Sequence, residues 1–223
     1  NHEIKKEIVF MKKDLTRMIF VLDKSGSMSG LEKDTIGGFN SLIEKQRKEP
    51  GEAKVTTVLF NDRVAFVHDN ADVKDVPLLT SKEYYVCGCT AMLDAIGSVI
   101  KKAEADDATT SENEKAEKTV VIITTDGMEN SSKEFSYEKV RKLIDAKKED
   151  GWEFIFLGAN IDVESEASKL GIDKDNSVTY RCDSQGVETN YECLDVAMKE
   201  IRQYKTLSAR WKDGITDRNS KKK

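Results

Sequence analysis

The sequence predicts an α/β fold built on a doubly wound, mostly parallel sheet. Three observations predict it. Apolar segments of strand length alternate with segments whose apolar residues recur every three or four positions. The segment Thr119-Val120-Val121-Ile122-Ile123-Thr124-Thr125 is rich in β-branched residues and apolar on both faces, as a central parallel strand must be. Carboxylates follow directly on two such segments, Asp23 after Met18-Ile19-Phe20-Val21-Leu22 and Asp126 after Thr125. Sheets of this kind bind ligands outside the carboxyl ends of their strands, in the crevice where strand order reverses.

Met18 to Leu22 reads as the first strand, and the Gly and Ser residues after it as a loop. Leu31 to about Lys48 is an amphipathic helix, with Ile36, Phe39 and Ile43 on one side. Val55 to Phe60 is the second strand. Asn61-Asp62 is a two-residue turn of the type that tolerates positive φ. Arg63 to His68 returns antiparallel and belongs at the sheet edge. Met92, Ala95, Ile96, Val99, Ile100 and Ala103 form the stripe of the next helix. Asp106 to Lys118 is polar and charged, and reads as a solvated, mobile connection to the strongest strand, Thr119 to Thr125.

A helix from about Lys133 carries Tyr137, Val140 and Ile144. The strand Phe154 to Leu157 follows, then a short helix with Val163, Ala167 and Leu170. The chain continues with a short strand, Ser177 to Tyr180, and a last helix with Leu194, Ala197, Ile201 and Tyr204. The helical stripes read as core, because helices flanking a sheet must bury one face. With right-handed crossovers, the first strand and the strand ending at Thr125 should flank the reversal point.

A chain of 223 residues with two prolines and no Gly/Ser tract shows no linker. One domain is expected over residues 14–206, with an N-terminal extension over 1–13 and a flexible C-terminal tail over 207–223. The formal net charge of −5 is made of scattered charges of both signs, which excludes an electrostatic footprint for nucleic acid. Lys221-Lys222-Lys223 reads as a solvated end. No apolar stretch approaches the roughly 20 residues of a membrane span, and no secretory signal pattern is seen. Met11 is a plausible natural start, and a cytoplasmic setting is expected. The four cysteines, Cys87, Cys89, Cys182 and Cys193, read as reduced thiols. Cys87-Gly88-Cys89 lacks the spacing of a zinc pair and has no histidine nearby in sequence.

Asp23-Lys24-Ser25-Gly26-Ser27 places a carboxylate and two hydroxyls at alternate positions after a strand. These are hard oxygen donors, suited to Mg²⁺, Mn²⁺ or Ca²⁺ rather than zinc. Thr90, just before the Met92 helix, and Asp126, in Thr125-Asp126-Gly127, lie at comparable loops. Each also has a local reading: helix capping for Asp23, Ser25, Ser27 and Thr90, and a turn for Asp126. Those local roles do not exclude a metal. The order, spacing and strand-end placement of the three segments are far more specific than any one of them.

Together they resemble the von Willebrand factor type A domain and its metal-ion-dependent adhesion site (MIDAS). The family's Asp-x-Ser-x-Ser matches Asp23, Ser25 and Ser27, its threonine Thr90, and its later aspartate Asp126. The resemblance implies a six-stranded, Rossmann-like sheet with one antiparallel edge strand and helices on both faces. It implies a divalent metal, Mg²⁺ or else Mn²⁺ or Ca²⁺, and a protein partner that supplies a Glu or Asp carboxylate. It implies, too, a last helix, here about Glu188 to Tyr204, whose shifts accompany changes in coordination in relatives. Phe154 to Asn160 and Gly37-Gly38-Phe39-Asn40 look like a bacterial, intracellular branch of the family.

The expected function is therefore a non-catalytic interaction module. One alternative is a Mg²⁺-dependent phosphoryl-transfer or hydrolytic enzyme using Asp23. Against it, Ser25 stands where a second acid would serve as acid/base, and neither a phosphate loop nor a Gly-x-Ser-x-Gly elbow is present. The two histidines, His2 and His68, read as a chain-end and a strand-end residue. The other alternative is a scaffold whose metal is purely structural. Glu129 reads as a loop carboxylate, and Lys24 and Asp94 as exposed charges.

Overall fold

A computed structural model describes residues 14–220. The expectations for residues 1–13 and for Lys221-Lys222-Lys223 lie outside the described residues. The elements are β1 (Leu15–Asp23), α1 (Glu32–Gln46), β2 (Glu52–Phe60), β3 (Val64–Asp72), α2 (Met92–Thr109) and β4 (Lys118–Thr125). They continue with α3 (Tyr137–Glu149), β5 (Glu153–Gly158), α4 (Val163–Leu170), β6 (Ser177–Thr179), α5 (Ser184–Tyr204) and α6 (Asp213–Ser220).

The six strands form one sheet in the order β3-β2-β1-β4-β5-β6. All neighbours run parallel except β3, which returns antiparallel against β2 at the edge. The chain winds outward from β1 through β2 and β3, then crosses back to β4. Strand order therefore reverses between β1 and β4. Leu22 stands opposite Thr124 across that pair, so Asp23, one residue on, and Asp126, two residues on, leave adjacent strands at the same end of the sheet.

All nine residues of β1 are buried, because the strand is covered on both faces. Met18, Phe20 and Leu22 face a core shared with Phe39 and Ile43 of α1 and Leu194 and Ile201 of α5. Ile19 and Val21 face the opposite core, with Ile96 and Ile100 of α2, Val140 and Ile144 of α3, and Leu170 of α4. The alternation follows from the two-residue side-chain period of a strand.

Three expectations are corrected. The connection after the Ala103 stripe is helix for much of its length: α2 runs to Thr109 and a 3₁₀ turn covers Glu112–Glu114. Its charges are placed, with Asp107 taking both terminal nitrogens of the buried Arg17 at 3.0 and 2.5 Å. Asn61 has no positive φ. It turns the chain with its side chain, whose Oδ1 accepts from the Arg63 amide at 2.9 Å while Nδ2 donates to the Cys87 carbonyl at 2.9 Å. The segment after α5 is folded rather than a flexible tail. It forms a 3₁₀ turn and α6, and Trp211 is 1 % exposed with its indole donating to the Asp175 carbonyl at 3.1 Å.

Helix α5 is fastened to the base of α1 by Arg202. Its guanidinium donates to the carbonyls of Gln46, Glu49, Pro50 and Gly51 at 2.6–3.2 Å. The acceptors include the last turn of α1, where carbonyls have no partner within the helix. Arg202→Ala is expected to lower unfolding free energy by about 1–3 kcal/mol, because the buried Gln46 carbonyl and three less buried ones lose their donor. Urea denaturation measures it; a change within about 0.5 kcal/mol would assign the fastening elsewhere.

Candidate metal centre

Asp23 ends β1 and is 1 % exposed. Its Oδ1 accepts from the Ser25 amide at 2.6 Å and its Oδ2 from the Thr125 hydroxyl at 2.6 Å. The Tyr84 hydroxyl donates to its carbonyl at 2.6 Å. The carboxylate is thereby held at the junction of β1 and β4. Beyond it the chain bends into a 3₁₀ turn, Gly26–Met28, and the Gly26 amide donates to the Gly88 carbonyl at 3.0 Å. That bond brings the 87–90 loop against the 23–27 loop.

Asp23, Ser25, Ser27, Thr90 and Asp126 are brought together. Ser25 Oγ and Ser27 Oγ lie 3.0 Å apart, and Ser27 Oγ donates to Asp126 Oδ1 at 2.5 Å. Gly127 defines the remaining wall. A Cβ built there would stand 3.0 Å from Thr90 Oγ1, 3.1 Å from Ser27 Oγ and 3.8 Å from Ser25 Oγ. Three hydroxyls thus converge on one spot from two loops, beside an aspartate from a third.

The supporting residues are ones that sequence patterns do not reveal. The Thr90 amide donates to Asn130 Oδ1 at 2.9 Å, and its carbonyl accepts from the Asn130 amide at 3.0 Å. Glu129 is a loop carboxylate, as expected, and accepts from the amides of Leu93, Ser131 and Ser132. Its place at the start of α2 suits an anion, because unpaired amides and the helix dipole point there. Asp94 is not a free surface charge. Its carboxylate accepts from the amides of Lys133, Glu134 and Phe135 at 2.8–2.9 Å, which closes the 127–135 loop onto α2. Only the three-dimensional path of that loop brings its amides to Asp94.

Lys24 also differs from expectation. The residue is 6 % exposed, and its ammonium lies 3.9 Å from the centre of the Tyr85 ring. His68 is buried on β3, bonded to Thr57 at 2.9 Å and stacked on Phe39. Cys87 and Cys89 are exposed free thiols, and Cys182 Sγ lies 3.5 Å from Asp126 Oδ2.

Burial raises the Asp23 carboxyl above its usual range, and the nearby Asp126 adds to the rise, against hydrogen bonds from Thr125 and Ser25. Burial likewise raises Asp126, against Ser27 and Cys182. Two acids close together in a dry site favour protonation unless a cation offsets them. Among the described residues no three His, Cys, Asp or Glu side chains gather as a metal cluster. The centre offers two acids and three neutral hydroxyls instead. That donor set fits a hard divalent cation that retains waters, and a cation bound directly by only one of the two acids keeps positive character toward an outside ligand.

A mostly parallel sheet whose strand order reverses between β1 and β4 defines an α/β domain of the doubly wound class. The model of the von Willebrand factor type A domain matches residues 18–191. The chain belongs to that family. A search of curated proteins gave no match. Among solved structures, one of proximal thread matrix protein 1 from the mussel byssus, described as having a zinc-occupied MIDAS motif, is 17 % identical, with a TM-score of 0.56. That alignment covers 81 % of this chain and 44 % of the mussel protein, so the chain spans under half of that protein's length. The manganese-loaded TRAP protein of Plasmodium vivax is 15 % identical at a TM-score of 0.56, over 80 % of this chain and 73 % of that one. The von Willebrand domain of the type V pili tip protein Mfa5 from Porphyromonas gingivalis is 11 % identical at 0.56, over 81 % and 95 %. At such identities the likeness is one of fold. No helix among the described residues is long and apolar enough to cross a membrane.

Proposed function

We propose that this domain is a non-catalytic, metal-dependent protein-interaction module. Asp23, Ser25, Ser27, Thr90 and Asp126 hold a divalent cation, Mg²⁺ or else Mn²⁺ or Ca²⁺. The cation takes a Glu or Asp carboxylate from a protein partner. One observation carries the reading: two buried acids share one small site with three converging hydroxyls. Two proteins of the same fold support it, one with a zinc-occupied MIDAS motif and one loaded with manganese. When bound, the cation supplies a positive point of attachment. The chain's own residues set its position: Thr125 and the Ser25 amide orient Asp23, Ser27 orients Asp126, and Asn130 fixes the backbone of Thr90. A carboxylate bound there is a charge-assisted anchor inside a larger interface.

His68 is engaged in the core, which leaves the centre without a histidine acid/base among the described residues and favours binding over catalysis. A bacterial, cytoplasmic setting belongs to this reading on the strength of Gly37 to Asn40 and Phe154 to Asn160; likeness to a pilus tip domain lends it nothing. The test is capture of partners from lysate in Mg²⁺ and in chelator, with Asp23→Ala alongside. Enrichment only with metal and only by the wild type is expected. Hydrolysis of generic phosphate or ester substrates, dependent on Mg²⁺ and lost in Asp23→Ala, would replace the module with an enzyme. Partner capture unaffected by Asp126→Ala, together with lowered thermal stability, would make the metal purely structural.

A further inference from the structure

Lys24 is the one cation inside the Asp23 to Ser27 loop, and the site's hydrogen bonds do not use its side chain. Its backbone is fixed: the amide donates to the Phe60 carbonyl at 2.7 Å and the carbonyl accepts from the Cys87 amide at 3.0 Å. The residue is 94 % buried, and among the described residues no carboxylate forms an ion pair with it. The ammonium instead sits 3.9 Å from the centre of the Tyr85 ring, which is 53 % exposed. A lysine that buries its stem and delivers its charge to an exposed ring brings that charge to the surface. Cation–π contact satisfies the ammonium only in part, since three N–H donors remain to be filled.

Two large exposed side chains neighbour the site along the chain. Tyr85 is one. Met128, two residues beyond Asp126, is 63 % exposed and is the other. Exposed aromatic and Met side chains are enriched where protein partners dock, and Tyr ranks among the residues that dominate binding energy. An anchored positive charge and an aromatic platform thus belong to the residue between Asp23 and Ser25 and to its ring partner.

We propose that Lys24 and Tyr85 form a second recognition point beside the metal centre, which binds a second carboxylate of the same partner segment. The inference rests on the reading under Proposed function and names the partner more closely. The occupant is a peptide segment with two acidic side chains, one for the cation and one for the Lys24 ammonium, its stem lying on the Tyr85 ring. Charge complementarity selects it. The cation takes one carboxylate, and the Lys24 ammonium has no ion-pair partner among the described residues, so a single acid leaves Lys24 without an anion. A carboxylate there makes a charge-assisted hydrogen bond to a donor that is already held in place, so little ordering entropy opposes it.

The experiment uses the whole chain and acetylated, amidated nine-residue Ala/Ser peptides. One peptide has a single central Glu. The others add a second Glu two, three or four residues away. Affinities are read by NMR titration in Mg²⁺ and in chelator, for the wild type, Lys24→Ala, Lys24→Gln and Asp23→Ala. Metal binding by the Lys24 variants is checked separately by Mn²⁺ titration, which also shows that they fold. The expected result is that one spacing binds the wild type about tenfold more tightly than the single-Glu peptide, and that both Lys24 variants lose this advantage while retaining Mn²⁺ and single-Glu binding. A two-Glu advantage that is absent in the wild type, or that persists in both Lys24 variants, overturns the inference and leaves the metal-anchored module standing. Peptide binding that ignores Mg²⁺ and survives Asp23→Ala overturns the module itself, and this inference with it.

Discussion

Asp126→Ala is expected to abolish the rise in melting temperature that Mg²⁺ gives the wild type, while leaving the metal-free protein within about 1 kcal/mol of wild type or above it. A ligand that binds only the native state at 100 times its Kd adds about 2.7 kcal/mol, which in a domain of this size is a rise of about 5–10 °C. Asp126 is the better acid to remove. Asp23 holds the Ser25 amide, so its loss would leave that buried donor unpaired, whereas the Thr125 hydroxyl keeps the Gly127 carbonyl within 3.0 Å. Asp126 accepts from the Ser27 hydroxyl, which also has Ser25 within reach.

The metal-free protein should be insensitive, or even improved, because burial holds both carboxyls above 3.8. A carboxyl whose folded pKa is raised binds protons more tightly in the native state than in the unfolded chain. The contribution of these two acids to stability in chelator is therefore greatest below the usual carboxylate value and is lost as pH rises through the raised folded values. The slope is negative because the native state holds the extra protons. Asp126→Ala should flatten it. With Mg²⁺ the dependence reverses over the same interval, since the cation requires deprotonated acids. Thermal melts across pH, with and without chelator, test both. An Mg²⁺ effect that persists in Asp126→Ala would remove that residue from the site.

Two neighbouring glycines of α1 should respond to alanine with opposite signs. A Cβ on Gly38 would stand 2.1 Å from one carbon of the Tyr191 ring and 2.7 Å from two others. Tyr191 belongs to α5 and is 7 % exposed, so its ring has nowhere to go. Gly38→Ala must push α1 away from α5, at a net cost of about 2–3 kcal/mol after the gain in helix propensity. Gly37, one residue earlier, has nothing within 4 Å of its Cβ direction. Gly37→Ala should gain up to about 1 kcal/mol, through propensity and a less free unfolded chain. Urea midpoints of the two variants decide the matter; changes of the same sign would mean that the α1–α5 approach does not depend on Gly38.

The same pair shows where sequence reading stops. Gly37-Gly38-Phe39-Asn40 stands out in the sequence, but its four residues do four different things. Gly37 faces open space, Gly38 admits the Tyr191 ring, and Phe39 fills the core. Asn40 bridges to both backbone groups of Leu79 at 2.8 and 2.9 Å. Similarly, Lys24 and Asp94 look like ordinary surface charges in the sequence, because charge says nothing about which loop will fold over it. The Asp106 to Lys118 segment looked mobile because a helix with a solvated face is polar, and polarity is also the mark of a loop.

The sequence by itself determined the alternation of strands and helices, the antiparallel edge strand and the places of Asp23 and Asp126 at strand ends. It could do so because side-chain period and β-branching are local properties that burial turns into a pattern. Only the tertiary structure decided that the Ser25, Ser27 and Thr90 hydroxyls face one wall at Gly127, that Asn130, Glu129 and Asp94 hold that wall, and that Lys24 lies over Tyr85. Those contacts join residues up to about a hundred positions apart. They depend on how loops from β1, β4 and the start of α2 meet at one sheet edge, which no local pattern encodes.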